Sequence, residues 1–152
     1  MCIANSFPSY IKAGKDAGAK LEICGERKGD KGYFIEPTIF SNVSEEMSIM
    51  QEEIFGPVCS ISKFKTKEEV IAVGNKSNYG LAAAVHTKNL NNAIEVSNAL
   101  RAGTVWVNTY NTLHHQMPFG GYKESGVGRE LGEAALDNYR RHFQISFVPE
   151  HD

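Results

Sequence analysis

The chain has 152 residues, a length typical of one domain, and its composition is that of an ordinary globular protein, with 41% hydrophobic and 22% charged residues. Sixteen basic and eighteen acidic side chains give a formal net charge of −2, which argues against nucleic acid or a membrane surface as the partner. No apolar run reaches the length of a membrane span.

In the first half of the chain, apolar spacing and breaker residues predict five elements. In chain order, we expect a weak helix over residues 10–18, a strand over 19–24, an edge or irregular strand over 33–40 that contains Pro37, a short helix over 45–52, and a half-buried strand over 58–64. Between the first two strands, the charged segment 25–32 is bounded by glycines and is typical of a surface loop.

The second half continues the alternation of helices and strands. Thr66 and Glu69 form a capping box, which predicts the start of a helix that ends near Ser77. We then expect an apolar strand over residues 81–86, a helix over 90–100, a strand over 103–108, a long polar loop to about 128, a helix over 130–139 and a strand over 143–148. The alternation indicates βαβ units, so the predicted fold class is α/β with a largely parallel sheet.

One segment, QEEIFGPV at residues 51–58, combines two adjacent carboxylates with an aromatic residue and a Gly-Pro turn. On physical grounds alone, Glu52 and Glu53 would be a solvated helix end before a tight turn. The whole octapeptide is unusual, however, and it resembles the E-E-I-F-G-P motif of the aldehyde dehydrogenase family.

That resemblance implies a cofactor site for NAD or NADP. Glu53 matches the carboxylate that accepts hydrogen bonds from the nicotinamide ribose hydroxyls, and Phe55 matches the aromatic residue that packs beside the nicotinamide ring. A carboxylate can accept from both hydroxyls of a vicinal diol, and hydrogen bonds to a charged group contribute roughly 1.5–3 kcal/mol. An aromatic face can also orient the ring for hydride transfer. We interpret Glu52 as structural.

A second segment, residues 108–131, is rich in glycine but is not a dinucleotide-binding loop. The glycines of such a loop follow a strand directly as G-x-G-x-x-G, whereas GVGREL follows a polar segment and has Leu131 at its sixth position. Without the resemblance, it would be a flexible loop leading into a helix.

The PFGGYKESG and GRE stretches of this segment, and the WVN that precedes it, resemble aldehyde dehydrogenases. The resemblance implies a loop that lines the aldehyde channel, with Phe119 as a channel aromatic. Leu113 falls where many members carry a second aromatic, which suggests either a wider channel or one suited to aliphatic substrates.

No metal site is predicted. His114 and His115 are adjacent, so we expect their rings to point in different directions, and no cysteine or acidic cluster joins them. We expect both at the loop surface near the channel mouth, and we expect Tyr110 and Tyr122 to pack.

The cysteines, Cys2, Cys24 and Cys59, are odd in number and widely spaced, which is typical of free thiols in a reducing compartment. Cys59 lies within a predicted strand, so we expect a buried and inert thiol.

Residues 1–10 lack the features of a signal peptide. We therefore expect a cytoplasmic protein, with mitochondria as the alternative if a targeting segment lies upstream.

The family oxidises an aldehyde to a carboxylic acid: a cysteine thiolate adds to the aldehyde, hydride passes to the nicotinamide, and water hydrolyses the thioester. The family's nucleophile lies in a Gly-Gln-x-Cys setting and its general base in a Leu-Gly-Gly-Lys setting. Neither setting occurs in this sequence, nor does the Rossmann half, so no catalytic residue is assigned. We expect a fragment of an NAD(P)-dependent aldehyde dehydrogenase that is inactive alone. The alternative is a non-catalytic module that associates with full-length aldehyde dehydrogenase subunits.

The resemblance also suggests a domain organisation. Residues 1–9 would be an atypical start, residues 10–142 the C-terminal part of the catalytic domain, and residues 143–152 a C-terminal oligomerisation strand and tail. Phe143, Ile145 and Phe147 would share one face of that strand. In the family, the corresponding strand pairs in the oligomerisation sheet, so the resemblance implies a homo-oligomer formed through residues 143–148.

Overall fold

The structure, a computed structural model, describes residues 3–141 and 143–146, with side chains from residue 8 onwards. The chain forms two compact units, Met1–Val73 and Gly74–Asp152. Within the described residues, no helix is both long enough and apolar enough to cross a membrane.

The first unit is a three-stranded sheet packed against helices. Its elements are α1 (Ile3–Asp16), β1 (Lys20–Ile23), β2 (Thr38–Ser41), α2 (Ser48–Gln51) and β3 (Val58–Ser60). The strand order is β1-β2-β3, with β1 antiparallel and β3 parallel to the central β2. Phe40 is fully buried at the centre of the core, with Ile11 of α1 and Ile49 of α2 among its neighbours in the cluster. Gly14 allows this approach, because a Cβ there would lie 3.0 Å from the Phe40 ring.

The second unit is built around one βαβ unit. Its elements are β4 (Tyr79–Gly80), β5 (Ala82–Val85), α4 (Leu90–Ala99), β6 (Thr104–Val107), β7 (Tyr122–Lys123) and a 3-10 helix (Glu133–Asn138), and α3 (Lys67–Lys76) spans the boundary between the units. Strands β5 and β6 pair in parallel, and α4 contacts both. Strands β4 and β7 form a short antiparallel pair. Asn89 caps α4 by accepting a hydrogen bond from the Asn92 N–H at 3.1 Å.

The α/β prediction is confirmed, since helices and strands alternate and the pairs β2–β3 and β5–β6 are parallel. The capping box is also confirmed. The Glu69 N–H donates to Thr66 Oγ1 at 3.2 Å, and the Thr66 N–H donates to Glu69 Oε2 at 3.3 Å. The strand predicted over residues 33–40 is displaced to Thr38–Ser41 and begins directly after Pro37, which has no N–H for a strand ladder.

Several predicted boundaries are wrong. Helix α1 begins at Ile3 rather than at residue 10 and contains Pro8, which interrupted the helical pattern in the sequence. The helix predicted over residues 45–52 is only Ser48–Gln51, and the strand predicted over 58–64 ends at Ser60. The last helix is a short 3-10 helix that begins at Glu133 rather than at residue 130, because Leu131 and Gly132 both have positive φ, which a helix cannot include.

Within the described residues, the predicted terminal strand is not formed. Phe143 to Ser146 are described and lie outside any strand, while residues 147 and 148 lie outside the described residues. A strand requires a hydrogen-bonding partner, and among the described residues none pairs with this segment.

Candidate functional site

The segment after α2 directs alternate side chains to opposite sides. Ile54 packs against the core cluster of the first unit, whereas Glu53 and Phe55 on either side of it are exposed. The Phe55 ring is 65% exposed. The Gly56 N–H closes the following turn on the Ile54 carbonyl at 2.9 Å. Ile54 therefore anchors the loop in the core, and the residues on either side of it expose a carboxylate and an aromatic ring.

The two adjacent carboxylates have different surroundings. Glu52 Oε2 accepts a hydrogen bond from the Tyr10 hydroxyl at 2.9 Å, so it ties the loop to α1. The Glu53 carboxylate is exposed and accepts no hydrogen bond from the residues that the structure describes. A free carboxylate with an open face is what a vicinal diol requires, and the exposed Phe55 ring offers a flat surface for an aromatic ligand. The segment thus combines a free carboxylate with an exposed aromatic ring.

In the second unit, Asn108 ends the parallel pair β5–β6. Its side-chain amide mimics a backbone group: Oδ1 accepts from the Thr87 N–H at 2.8 Å, and Nδ2 donates to the Thr87 carbonyl at 2.9 Å. The φ of Asn108 is 56°, a left-handed conformation that asparagine tolerates. The chain therefore turns away at the carboxyl edge of the strands, the edge at which α/β sheets bind ligands.

The turn that follows, residues 108–112, rests on Trp106. The Trp106 ring is only 8% exposed, and its indole N–H donates to the Thr112 carbonyl at 2.8 Å. The Tyr110 ring meets it edge-on at 5.3 Å between centroids. Leu113, the next residue, is 51% exposed, so the turn presents an apolar side chain to the outside.

The PFGG and GREL stretches pair with each other, so the loop is closed by its own hydrogen bonds. Phe119 and Glu130 exchange two backbone hydrogen bonds, both 2.7 Å, and the Phe119 side chain is half-buried. Arg129 donates to the carbonyls of Gly121 at 3.0 Å and Gly128 at 2.7 Å. Its guanidinium also lies 4.9 Å from the centroid of the Tyr122 ring. Arg129 thus fixes the loop that carries Phe119.

Further contacts join the same loop to the end of α3, to the residues after it and to strands β4 and β6. Lys123 Nζ donates to the carbonyls of Asn75 at 2.8 Å and Ser77 at 2.7 Å. The Ser125 hydroxyl accepts from the Gly80 N–H at 2.9 Å. A Cβ at Gly103 would overlap the Gly120 carbonyl oxygen, so only glycine allows the loop to lie on the start of β6 at that point.

The expectations for the histidines and tyrosines need correction. The rings of His114 and His115 do not diverge: they stack, with centroids 5.1 Å apart and an interplanar angle of 23°. Both are exposed, and in the described part of the chain no group of three or more His, Cys, Asp or Glu side chains could hold a metal ion. Tyr110 and Tyr122 make ring contacts as expected, although both remain largely exposed.

The prediction of a buried Cys59 thiol is wrong, because Cys59 is exposed in β3 between the half-buried Val58 and Ser60. The alternation along the strand places it on the open face. Cys24 is exposed as well. Its hydrogen bond with Glu36 is the main reason that the pKa of the Cys24 thiol is raised, and desolvation and the charges of Glu36 and Glu26 add to the effect.

The four predicted site residues fall into two groups. Glu53 and Phe55 lie on one loop of the first unit, and Leu113 and Phe119 lie on one loop of the second. Sequence reasoning missed the structural roles of Tyr10, Trp106 and Arg129. The signal available for Trp106 was its place in the strand predicted over residues 103–108, directly before a polar loop. A buried indole N–H there needs an acceptor, and the loop can supply one.

Comparison with known proteins gives a consistent result. The model of the aldehyde dehydrogenase family matches residues 4–144. An aldehyde dehydrogenase of Davidiella tassiana is 79% identical over 137 residues, covering 90% of this chain and 28% of the relative. One from Aspergillus niger is 62% identical over 130 residues, covering 86% of this chain and 26% of the relative.

Solved structures agree. An NAD+ complex of aldehyde dehydrogenase from Bacillus cereus superposes with a TM-score of 0.86 at 51% identity, covering 90% of this chain and 28% of the other. An indole-3-acetaldehyde dehydrogenase in complex with NAD+ gives a TM-score of 0.88 at 48% identity, with the same coverage of 90% and 28%. The chain thus spans little more than a quarter of the length of the proteins it matches. It belongs to the aldehyde dehydrogenase family.

Proposed function

We propose that this chain is the C-terminal part of the catalytic domain of an NAD(P)-dependent aldehyde dehydrogenase, which oxidises an aldehyde to a carboxylic acid. The observation that supports this most strongly is the pair Glu53 and Phe55. Both are exposed, and they flank Ile54, which is anchored in the core of the first unit. This short segment therefore offers a carboxylate acceptor and a flat aromatic surface to a ligand.

In the proposed function, the Glu53 carboxylate accepts hydrogen bonds from the two hydroxyls of the nicotinamide ribose, and the Phe55 ring packs against the nicotinamide. The bound cofactor supplies the hydride acceptor. The nicotinamide ribose is the same in NAD and NADP, so Glu53 serves either cofactor. The NAD+ complexes of the similar Bacillus cereus and indole-3-acetaldehyde enzymes support this assignment.

On the substrate side, Phe119 and Leu113 would form part of the wall of the aldehyde channel. Leu113 is smaller than an aromatic residue, so we propose a channel that accepts branched or long aliphatic aldehydes. The test uses a full-length aldehyde dehydrogenase that carries residues 4–144 of this chain as the C-terminal part of its catalytic domain. Leu113→Phe should raise KM for a branched aldehyde and leave KM for acetaldehyde nearly unchanged. An equal effect on KM for both aldehydes, or no effect on either, would show that Leu113 does not line the channel.

We also propose that the 152-residue chain alone does not catalyse the reaction, because none of its cysteines lies in a Gly-Gln-x-Cys setting. The purified chain should form no NADH or NADPH above the blank when given an aldehyde and cofactor. Turnover that a thiol-blocking reagent abolishes would contradict this proposal and would require a nucleophile among Cys2, Cys24 and Cys59.

A second candidate function is a non-catalytic module that associates with full-length aldehyde dehydrogenase subunits. The exposed side chains of Phe143 and Ile145, 77% and 66% accessible, favour it, because alternate apolar residues in an unpaired segment suit strand addition. Size-exclusion chromatography of the chain with and without a full-length subunit distinguishes the two. Co-elution of the chain with the subunit, lost in the double variant Phe143→Ser and Ile145→Ser, would support the module. A chain that still elutes as a monomer in the presence of the subunit would exclude it.

A further inference from the structure

The loop that carries the proposed channel residues begins with the turn 108–112, and two side chains hold this turn. Asn108 joins it to Thr87, and the buried Trp106 bonds to the carbonyl of Thr112, directly before Leu113. We propose that Trp106 and Asn108 are positioning residues that set the direction of Leu113 and thereby the width of the aldehyde channel. This inference rests on the proposed role of Leu113 in that channel.

Trp106 restrains the turn because its indole N–H has a single acceptor. The ring lies in β6, opposite Ala84 of β5, and is buried. An unpaired buried donor costs about 1–3 kcal/mol. Movement of Thr112 away from its position, 2.8 Å from the indole nitrogen, would therefore leave a buried N–H without a partner. The edge-on contact with Tyr110 adds a second restraint in the middle of the same turn.

Asn108 restrains the start of the turn. Its backbone N–H still donates to the Val85 carbonyl at 2.9 Å, as the last ladder bond between β6 and β5. Its left-handed φ of 56° then redirects the chain, and its amide makes both bonds to Thr87. The hydroxyls of Thr109 and Thr112 lie 3.0 Å apart and close the turn from within. Both ends of the turn are therefore fixed to the βαβ unit.

Leu113 follows the second fixed end immediately. Consecutive Cα atoms are about 3.8 Å apart, so a displacement of Thr112 carries over to Leu113 almost undiminished. In the proposed function neither Trp106 nor Asn108 touches substrate or cofactor. Loosening the turn should therefore change KM for aldehydes that fill the channel and leave kcat for a small aldehyde nearly constant.

The first test uses the 152-residue chain itself. Trp106 is its only tryptophan, so the indole N–H gives one NMR signal. We expect its hydrogen exchange to be protected in the native chain and to accelerate at least about tenfold in Asn108→Ala, because each tenfold step needs only about 1.4 kcal/mol of local opening. Asn98→Ala, at an exposed site on α4, is the matched control and should leave the rate unchanged. An unprotected indole N–H in the native chain, or equal rates in Asn108→Ala and the control, would contradict the inference.

The second test uses the full-length enzyme that carries this chain's residues. Trp106→Phe keeps a ring but removes the N–H, and Asn108→Gly keeps the left-handed backbone but removes the amide. Each should change KM for a branched aldehyde at least about fivefold while kcat for acetaldehyde stays within about twofold. Tyr110→Phe, which keeps the ring contact, is the control and should alter neither value.

The two levels of the proposal can fail separately. If Leu113→Phe changes KM for the branched aldehyde but Trp106→Phe and Asn108→Gly do not, the positioning role is wrong and the channel role stands. If Leu113→Phe has no effect, the channel role of Leu113 is itself wrong. Loss of kcat for acetaldehyde in Asn108→Gly would also contradict the inference, because it would show a role beyond positioning Leu113.

Discussion

The hydroxyl of Tyr10 in α1 donates a hydrogen bond to Oε2 of Glu52, 2.9 Å away and 42 positions along the chain. This bond joins the first helix to the segment that carries Glu53 and Phe55. Of the two adjacent carboxylates, the one that is bonded within the protein acts as the anchor, and the one beside it is free for a ligand.

Tyr10→Phe should lower the free energy of unfolding by about 1 kcal/mol, because it removes one hydrogen bond and keeps the half-buried ring. Urea unfolding of the 152-residue chain measures the change. Tyr110→Phe is the matched control, since its hydroxyl makes no hydrogen bond within the described residues. Equal stabilities of the two variants would show that the bond to Glu52 contributes nothing.

Gly103→Ala should destabilise the second unit by about 3 kcal/mol or more, because the new methyl group would overlap the backbone carbonyl of Gly120, which cannot rotate away. Gly74→Ala is a control with the same chemical change. Its Cβ would meet only the end of the Leu100 side chain at 3.1 Å, and alanine favours the helix that contains position 74. Circular dichroism during thermal unfolding compares them. A wild-type transition in Gly103→Ala would contradict the close packing of the loop on β6.

Arg129→Lys should loosen the loop around Phe119 even though it keeps the charge. Lysine cannot bridge the carbonyls of Gly121 and Gly128 while lying flat over the Tyr122 ring. We expect faster amide exchange at Phe119 and Glu130, whose paired N–H groups report directly on loop closure. Unchanged protection of both amides would assign the closure to the glycines rather than to Arg129.

Glu22 should titrate below the usual range of a glutamate. The hydrogen bond from the Ser41 hydroxyl is the main reason that its pKa is lowered, and Lys20, with Nζ 3.0 Å away, adds to the effect. Because the folded-state pKa lies below the unfolded one, the stabilisation is present above the unfolded pKa and is lost as pH falls through the folded pKa. Ser41→Ala should raise the pKa of Glu22 in an NMR titration, and Lys20→Gln should raise it less. The reverse order would contradict the assigned cause.

Local signals predicted those parts of the fold that local chemistry decides. The Thr66–Glu69 capping box lies where the sequence indicated, because it depends only on residues three positions apart. Strand β7 was not predictable, since Tyr122 and Lys123 pair only with Tyr79 and Gly80, more than forty positions earlier. A two-residue strand has no periodic pattern of its own.

The candidate site likewise divides into features that a local motif predicted and features that depend on long-range contacts. Glu53 and Phe55 were assigned from a motif, and their exposure agrees with ligand binding. The distinction between Glu52 and Glu53 had no basis in composition or spacing, because it comes from the long-range bond with Tyr10. The stacking of His114 on His115 and the closure of the PFGG loop by Arg129 likewise depend on backbone conformations that the sequence does not encode locally.

The most direct test of the account compares Glu53→Gln with Glu52→Gln in the full-length enzyme that carries this chain. Glutamine at position 53 loses the charge that accepts the ribose hydroxyls, worth about 1.5–3 kcal/mol, so the Kd for NAD should rise roughly 10- to 100-fold. Glutamine at position 52 still offers an oxygen to Tyr10, and the Kd should rise at most about threefold. If Glu53→Gln binds NAD as tightly as the unmodified enzyme, Glu53 does not hold the cofactor ribose and the proposed cofactor site is wrong.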